Sequence, residues 1–289
     1  MKIKILIPVY NDWQSVFKLI ENINRLSIDQ KFEISIIIIN DASNHDRIEE
    51  NINFDNIKSI KIINMKINQG HSRCIATGLR YIFEKEDFDY VIPMDGDGED
   101  RPIEIKDFIN QINASNGKPI VGLRVKRSES LLFKFCYSAH KILTYAFTGH
   151  SIKFGNYTCL PKSTVEKMIN DKATWSSFSG SLTKLEKDRS TVPSIRGSRY
   201  FGPSKMSFKN LLIHSLAIIS VFKINVLIRS ILFLLVYMFL IHQNISTIML
   251  MPIPLIILLI VLVFYISKRE NLNELNNSLS NILNIDNIK

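Results

Sequence analysis

Cysteine is scarce in this chain of 289 residues, and its spacing gives it no structural role. The three cysteines are Cys74, Cys136 and Cys159, and no two of them form a Cys-x-x-Cys pair. An odd number of widely spaced cysteines argues against a disulfide framework and against a zinc site. Residues 1–9 are too short to supply the apolar core of a secretion signal. We therefore expect a cytosolic N-terminal domain with reduced cysteines.

Charge is missing from the second of two long apolar stretches near the C-terminus. Residues 224–241 contain one charged side chain, Arg229, and residues 245–266 contain none. The second stretch is long enough to cross a bilayer core of roughly 30 Å at about 1.5 Å per residue. The short connection requires an antiparallel hairpin, and lysine and arginine flank only its open ends. The positive-inside rule then places both open ends in the cytoplasm. The alternative is a pair of buried helices in a soluble core.

The rest of the composition is that of a globular domain with a basic surface. Hydrophobic residues make up 46% of the chain, and the formal net charge is +9. Such a surplus suits nucleic acid, an anionic membrane face or phosphorylated substrates, and does not choose among them. Nucleic acid is the weakest of these options because the sequence contains no recognition module.

Short apolar runs alternate with polar turns and helical patterns in the N-terminal two thirds of the chain. Repetition of strand, turn and helix predicts a doubly wound α/β domain over residues 1–206. Ligands bind beyond the carboxyl ends of the strands in such sheets, so the polar turns should gather along one edge. The predicted strands are residues 3–9, 33–39, 59–64 and 90–93, and the polar turns that follow the first, second and fourth contain Asn11-Asp12, Asp41 and Asp95-Gly96-Asp97.

Two aspartates one residue apart follow the fourth predicted strand. Gly96 and Gly98 let the backbone turn so that Asp95 and Asp97 approach one point. Oxygen ligands at such a point suit a hard divalent cation, Mg²⁺ or Mn²⁺. An isolated Asp-x-Asp is usually an ordinary acidic surface loop, but three polar turns at one edge favour a site.

Five short motifs follow one another along the chain. They are Pro8-Val9-Tyr10-Asn11-Asp12, Asn40-Asp41-Ala42-Ser43, Asn68-x-Gly70, Asp95-x-Asp97 and Arg196-x-x-Arg199-x-x-Gly202-x-Ser204-Lys205. Taken in order, the first four resemble the motifs of family 2 glycosyltransferases with the GT-A fold. The fifth motif, followed by two apolar helices, is similar to the dolichol- or polyprenyl-phosphate sugar synthases. The resemblance implies a GT-A catalytic domain over residues 1–206 and a C-terminal transmembrane helical hairpin over residues 224–266.

The resemblance also implies roles for individual residues. Asp41 matches the acidic residue that contacts the donor's nucleoside, and Asp12 stands where the family usually has glutamate. Asp95 and Asp97 match the aspartates that bind the metal and the diphosphate. Glu99 stands where glutamine is frequent and is a third candidate metal ligand, although its charge makes metal choice and donor affinity less certain. Ala42 replaces a common glycine. The other implied donor-binding residues are Pro8, Tyr10, Asn68, Gly70, Arg196 and Ser204.

The expected chemistry needs cations more than it needs a base. A divalent ion can neutralise the charge that develops on a nucleoside diphosphate leaving group. A lipid phosphate acceptor is already an anion, so basic side chains suffice to hold it. Residues 150–195 contain no convincing Glu-Asp base motif, which argues against a processive polysaccharide synthase. The candidate cations are Arg124, Lys126, Arg127, Arg196, Arg199 and Lys205.

Three segments receive weaker interpretations. His71 is interpreted as an ordinary polar residue at a helix start, and residues 155–157 are candidates for a donor or acceptor contact. Residues 207–223 have the pattern of an amphipathic helix in the membrane interface. Residues 267–289 form an asparagine-rich cytoplasmic tail, interpreted as a short helix or a disordered segment without chemistry.

Together these features predict an inverting, membrane-bound glycosyltransferase. It would transfer a sugar from a UDP- or GDP-linked donor to a polyprenyl phosphate, with Mg²⁺ or Mn²⁺ as cofactor and the lipid bilayer as a partner. One alternative is a membrane-anchored transferase that acts on a saccharide or lipid-linked sugar. Another is a catalytically silent membrane adaptor. Self-association into a homo-oligomer is a further hypothesis.

Overall fold

The structure is a computed structural model that describes residues 1–26, 28–45, 54–126, 141–203, 207–243 and 245–289. The strands are β1 (Lys2–Val9), β2 (Glu33–Asn40), β3 (Ser59–Met65), β4 (Tyr90–Pro93), β5 (Ile120–Lys126), β6 (Thr158–Pro161), β7 (Ser190–Ile195) and β8 (Ile282–Asn287). The helices before residue 200 are α1 (Trp13–Asn24), α2 (His71–Lys85), α3 (Ile105–Gln111), α4 (residues 141–148), α5 (Lys162–Ile169), α6 (Ala173–Ser176) and α7 (Phe178–Leu185). The later helices are α8 (Phe208–Ser220), α9 (Lys223–Ile241), α10 (Thr247–Leu250), α11 (Pro252–Ser267) and α12 (Leu272–Asn276).

The eight strands form one mixed sheet in the order β7-β5-β6-β4-β1-β2-β3-β8. The central strands β4, β1, β2 and β3 are parallel to one another. Nearly every residue of β1 and β2 is buried and most are apolar, as expected for a parallel sheet covered on both faces. The predicted α/β class and the four predicted strands are confirmed.

Helices cover the sheet on both sides. One core contains Phe17 of α1 and Phe108 of α3, packed on the isoleucines at positions 3, 5 and 7 of β1. The other contains Leu79 of α2 and Leu182 of α7, packed on Leu6 of β1 and its neighbours. Alternate residues of one strand therefore belong to opposite cores, as the two-residue period of a strand requires.

Two helical stretches are long and apolar enough to cross a membrane, and most of their residues are not buried. The first is α9. The second includes α10 and α11. Pro252 is the first residue of α11, where the missing backbone N–H of proline costs no hydrogen bond within the helix. Val226 of α9 packs with Val263 of α11, and Ile219 of α8 joins them. The predicted helical hairpin is therefore present.

The C-terminal tail differs most from expectation. A short helix, α12, is followed by β8, which pairs antiparallel with β3 and forms the outer edge of the sheet. The sequence of β8, Ile-Leu-Asn-Ile-Asp-Asn, is rich in residues that are rare in strands. Its conformation comes from hydrogen bonding to β3, which local sequence patterns do not record.

Candidate active site

The turns that follow β1 and β2 are joined by hydrogen bonds. The N–H of Asp41 donates to the carbonyl of Val9 over 2.9 Å. The N–H of Asn11 donates to the Ser43 hydroxyl over 2.9 Å. The carboxyl ends of the central strands therefore gather their polar turns at one edge of the sheet.

Asp41 holds the loop that precedes α2. Its buried carboxylate accepts from the N–H groups of Gln69, at 2.7 Å, and Gly70, at 2.8 Å. Asn68 donates from Nδ2 to the Asp41 carbonyl over 3.1 Å. Gly70 has a φ of +89°, which glycine tolerates best. A carboxylate has further lone pairs, so contact with a donor nucleoside stays a prediction beside this observed role.

The two aspartates after β4 lie in a compact turn. The N–H of Asp95 donates to Oδ2 of Asp100 over 2.9 Å, and the N–H of Glu99 donates to Oδ1 of Asp97 over 3.0 Å. Gly98 has a φ of +89°, and a Cβ there would lie 2.5 Å from the ring of Tyr200. Close packing and backbone conformation both require glycine at this position.

Two arginines from a distant segment neutralise this acidic turn. Arg199 donates to Oδ2 of Asp97 and to Oδ2 of Asp12, each over 2.6 Å. Arg196 forms an ion pair with Glu99. Residues 196–200 are also tied to the turn through their backbone, because the N–H of Tyr200 donates to the Asp97 carbonyl over 2.9 Å. The structure thus brings together five of the predicted site residues.

Two further side chains, those of His71 and Asn156, contact Asp95. Its Oδ1 lies 3.3 Å from Nε2 of His71 and 3.4 Å from Nδ2 of Asn156. His71 begins α2 as expected, but that position also points its ring at the acidic turn. Asn156 belongs to residues 155–157, which the sequence indicated as candidates for a ligand contact. No sequence pattern indicated that His71 lies next to Asp95.

Burial and crowding change the pKa of each aspartate in the turn. Burial would raise the pKa of Asp95, but the positive charge of His71 and its hydrogen bond lower that pKa. Burial, followed by the charge of Asp95, raises the pKa of Asp97. The same two causes raise the pKa of Asp100 to about 7. Carboxylates crowded in this way favour a nearby cation, and Arg196 and Arg199 supply positive charge here.

The remaining predicted residues lie around this turn or outside the described part. Arg124 of β5 is close enough to act on the charges of Asp95 and Asp100, and Gly155 leaves room for its guanidinium. Pro8 is buried at the end of β1, and Tyr10 and Asn68 are exposed. Arg127, Ser204, Lys205 and the side chain of Lys126 lie outside the described residues.

The carboxylates fit a metal ion by their chemistry. Among the residues that the structure describes, no three His, Cys, Asp or Glu side chains are arranged to hold one. Instead, Asp97 and Glu99 are paired with Arg199 and Arg196. Carboxylate oxygens suit Mg²⁺ or Mn²⁺. A metal would therefore share Asp97 and Glu99 with the guanidinium groups or displace them.

Sequence relatives share most of this chain. It is 26% identical over 218 residues to undecaprenyl-phosphate 4-deoxy-4-formamido-L-arabinose transferase of Salmonella choleraesuis (strain SC-B67). The homologous transferase of Salmonella paratyphi B is 27% identical over 220 residues. Each match covers 73% of this chain and 64% of the relative, so the chain spans less than two thirds of the relatives' length.

Solved structures share the fold. Glucosyl-3-phosphoglycerate synthase from Mycobacterium tuberculosis, in complex with Mn²⁺, UDP and glucosyl-3-phosphoglycerate, matches with a TM-score of 0.55 and 13% identity. That match covers 78% of this chain and 79% of the synthase. TarS of S. aureus in complex with UDP-GlcNAc matches with a TM-score of 0.51 and 12% identity, over 80% of this chain and 70% of TarS.

The family is shown by a third comparison. The model of the family described as "Glycosyl transferase family 2" matches residues 4–171, more than half of the chain. This match covers β1 to β4, the acidic turn and His71, and it confirms the family and the GT-A fold indicated by the sequence motifs. The chain belongs to glycosyl transferase family 2, a family of glycosyltransferase enzymes.

Proposed function

We propose that the protein is an inverting glycosyltransferase that moves one sugar from a UDP- or GDP-linked donor to a polyprenyl phosphate at the cytoplasmic face of a membrane. One observation carries the proposal. Arg196 and Arg199 lie against Asp97 and Glu99 at the carboxyl edge of the sheet, on the segment that leads to the apolar helices. Candidate metal-binding and phosphate-binding groups thus meet at the segment that precedes the apolar helices in the chain.

The donor side of the proposed site is the loop around Asp41 and the start of α2. Asp95, Asp97 and Glu99 would hold a divalent metal, which would neutralise charge on the leaving diphosphate. The related synthase structure with Mn²⁺ and UDP supports this role for a GT-A site. The start of α2, a helix of 15 residues whose N-cap makes no side-chain hydrogen bond, favours phosphate.

The acceptor side needs positive charge. Polyprenyl phosphate fits because the curated relatives are named as undecaprenyl-phosphate transferases. Its phosphate is an anion, so no residue has to remove a proton from it. Arg196 and Arg199 would hold that phosphate, because a planar guanidinium group matches phosphate oxygens. Arg124, Lys126, Arg127, Ser204 and Lys205 complete the proposed set.

The proposed reaction is a single displacement. A phosphate oxygen of the lipid attacks the anomeric carbon while the bond from that carbon to the donor's diphosphate breaks. The products are a lipid-phosphate sugar and a nucleoside diphosphate. One displacement inverts the anomeric configuration. The residues of this chain hold the two anions in line and offset their mutual repulsion.

The experiment is transfer of radiolabel from a panel of UDP- and GDP-sugars to undecaprenyl phosphate, with purified full-length protein in detergent. We expect label in the organic phase with Mg²⁺ or Mn²⁺ and none with EDTA. Asp97→Asn should abolish transfer without releasing the protein from membranes. Label that enters only an added saccharide would instead support the saccharide acceptor, and nucleotide binding without any transfer would support the silent adaptor.

A further inference from the structure

The segment after the membrane hairpin returns to the catalytic sheet and contacts the loop that follows β3. The N–H of Lys66 donates to the carbonyl of Asn281 over 2.8 Å. Nδ2 of Asn281 donates to the carbonyl of Ile67 over 3.2 Å. The Lys66 ammonium donates to the Ser280 carbonyl over 2.8 Å. Residues 66 and 67 are therefore held by the C-terminal segment.

The same loop continues directly into the proposed donor site. Ile67 is followed by Asn68, Gln69 and Gly70, which hydrogen-bond to Asp41. His71, the next residue, begins α2 beside Asp95. A displacement of the loop at residue 67 would thus be transmitted within a few residues to both the predicted nucleoside contact and the acidic turn.

A second set of hydrogen bonds connects β8 to the other side of Asp41. Nδ2 of Asn64 donates to Oδ1 of Asn284 over 2.8 Å and to Oδ2 of Asp286 over 3.0 Å. Oδ1 of Asn64 accepts from Nδ2 of Asn40 over 2.8 Å. Oδ1 of Asn40 in turn accepts from the N–H of Ser43 over 3.0 Å. The C-terminal strand therefore supports the residues on both sides of Asp41.

The beginning of this segment is also fixed. Trp175 donates from Nε1 to Glu274 over 2.6 Å, and Arg80 donates to Asn276 over 2.7 Å. Leu275 is buried against Ala76 of α2 and Trp175. Because α12 is anchored on the side of α2, the following residues 277–281 have little freedom in where they meet the loop after β3.

We propose that Asn281 is a positioning residue for the donor-binding loop, so that the segment beyond the membrane hairpin completes the nucleoside side of the active site. The inference rests on the proposed function for its catalytic consequence. The structural part of the inference does not depend on that function. A loop after a strand near the sheet edge opens readily unless a neighbouring segment pairs with it, whether or not the protein transfers sugar.

The test compares full-length wild-type protein with Asn281→Ala, Asn281→Asp and the control Asn287→Ala. Asn281→Asp keeps the size of the side chain but removes the donor to Ile67. Asn287 is an exposed asparagine at the far end of β8, the strand that begins directly after Asn281. Hydrogen exchange of residues 66–73 would be measured without ligand, and KM and kcat would be measured for donor and acceptor.

Both Asn281 variants should exchange faster over residues 66–73 and raise the donor KM about three- to tenfold, the effect of losing one hydrogen bond. The acceptor KM and kcat should stay within about twofold, and Asn287→Ala should match the wild type in both measurements. If Asn281 had a merely structural role, its variants would have a smaller fraction of active protein and a lower kcat, without this selective change in donor KM.

Unchanged exchange in both Asn281 variants would overturn the inference, and so would an equal effect of Asn287→Ala. Faster exchange with an unchanged donor KM would overturn its catalytic part. If wild-type protein transfers no sugar, the proposed function fails, and the hydrogen-exchange comparison still decides whether Asn281 positions the loop.

Discussion

Arg199 joins two acidic turns that follow different strands, because its guanidinium contacts Asp12 after β1 and Asp97 after β4. Its side chain is 14% exposed, so water screens these interactions only partly. Without Arg199, the carboxylates of Asp12 and Asp97 would stay charged and poorly solvated. The residue therefore contributes to folding as well as to the proposed phosphate binding.

We expect Arg199→Gln to lower the free energy of unfolding by about 3 kcal/mol, because Asp12 and Asp97 lose their shared cation. Mn²⁺ should raise the melting temperature of the variant more than that of the wild type, since the metal no longer competes with the guanidinium. Thermal unfolding with EDTA and with Mn²⁺ measures both effects.

Arg25→Gln is the matched control, because Arg25 is 65% exposed in its pair with Glu21. This change should cost little stability and leave the response to Mn²⁺ unaltered. An equal loss of stability in the two variants would contradict the role given to Arg199.

Ala42 adopts a backbone conformation that favours glycine, with a φ of +55°. Left-handed backbone strains an alanine by about 1–2 kcal/mol. Ala42→Gly should therefore stabilise the protein, by about 1 kcal/mol or less because glycine also gains freedom in the unfolded chain. Urea unfolding measures the change. Ala146→Gly, in the exposed part of α4, should have the opposite sign, and destabilisation by both changes would refute the strain at Ala42.

Among the secondary-structure elements, α2 is attached to the sheet at both of its ends. Its first residues lie beside the acidic turn, and Glu86, just after its last residue, binds the sheet. Glu86 accepts from Lys4 of β1 over 2.8 Å and from Lys61 of β3 over 2.6 Å. The Lys4 and Glu86 side chains are less than 10% exposed. These bonds fix the register of α2 on the parallel strands.

The pH dependence of stability tests this attachment. Burial would raise the pKa of Glu86, but the hydrogen bonds from Lys4 and Lys61 outweigh burial and lower that pKa. The stabilisation is therefore complete above the unfolded pKa, about 4.3, and is lost as pH falls through the folded pKa. Glu86→Gln should cost about 3 kcal/mol at pH 7, and its difference from wild type should narrow below about pH 4.

Denaturant unfolding between pH 3 and pH 8 measures that difference. Asp87→Asn is the control, because Asp87 forms an exposed pair with Lys2 and should change stability little at any pH. A constant difference between wild type and Glu86→Gln across the range would contradict the account of Glu86.

For the whole molecule, the hairpin of α9 and α11 and the strand β8 decide how the apolar helices are attached to the sheet. The chain leaves the sheet after β7, passes through α8 and the hairpin, and returns to the opposite edge of the sheet as β8. Both open ends of the hairpin are thereby attached to the same domain. This closed arrangement supports the proposed topology, in which the catalytic domain and both ends lie on one side of the bilayer.

Cysteine labelling tests that topology. We would introduce Gln243→Cys, between α9 and α10, and Lys268→Cys, just after α11, into a Cys136→Ser background, because Cys74 and Cys159 are buried. A membrane-impermeant maleimide should label residue 243 in intact cells and residue 268 only after lysis. Labelling of residue 268 from outside would reverse the proposed orientation.

The elements with the most regular sequence patterns could be predicted without a structure. The apolar runs of β1 and β2 correctly predicted buried parallel strands. The apolar stretches of α9 and α11 predicted the hairpin, and the five motifs in their order indicated the family. These features are local, since each depends on residues that are close together in the chain.

Sequence patterns were therefore enough to predict the family, the α/β class, the apolar hairpin and most candidate site residues. Which charges meet depends on the folded chain. The tertiary structure placed Arg199 between Asp12 and Asp97, brought His71 to Asp95, and made an asparagine-rich tail into β8. The physical reason is that these contacts join segments far apart in sequence, and their partners are chosen by the path of the folded chain rather than by neighbouring residues.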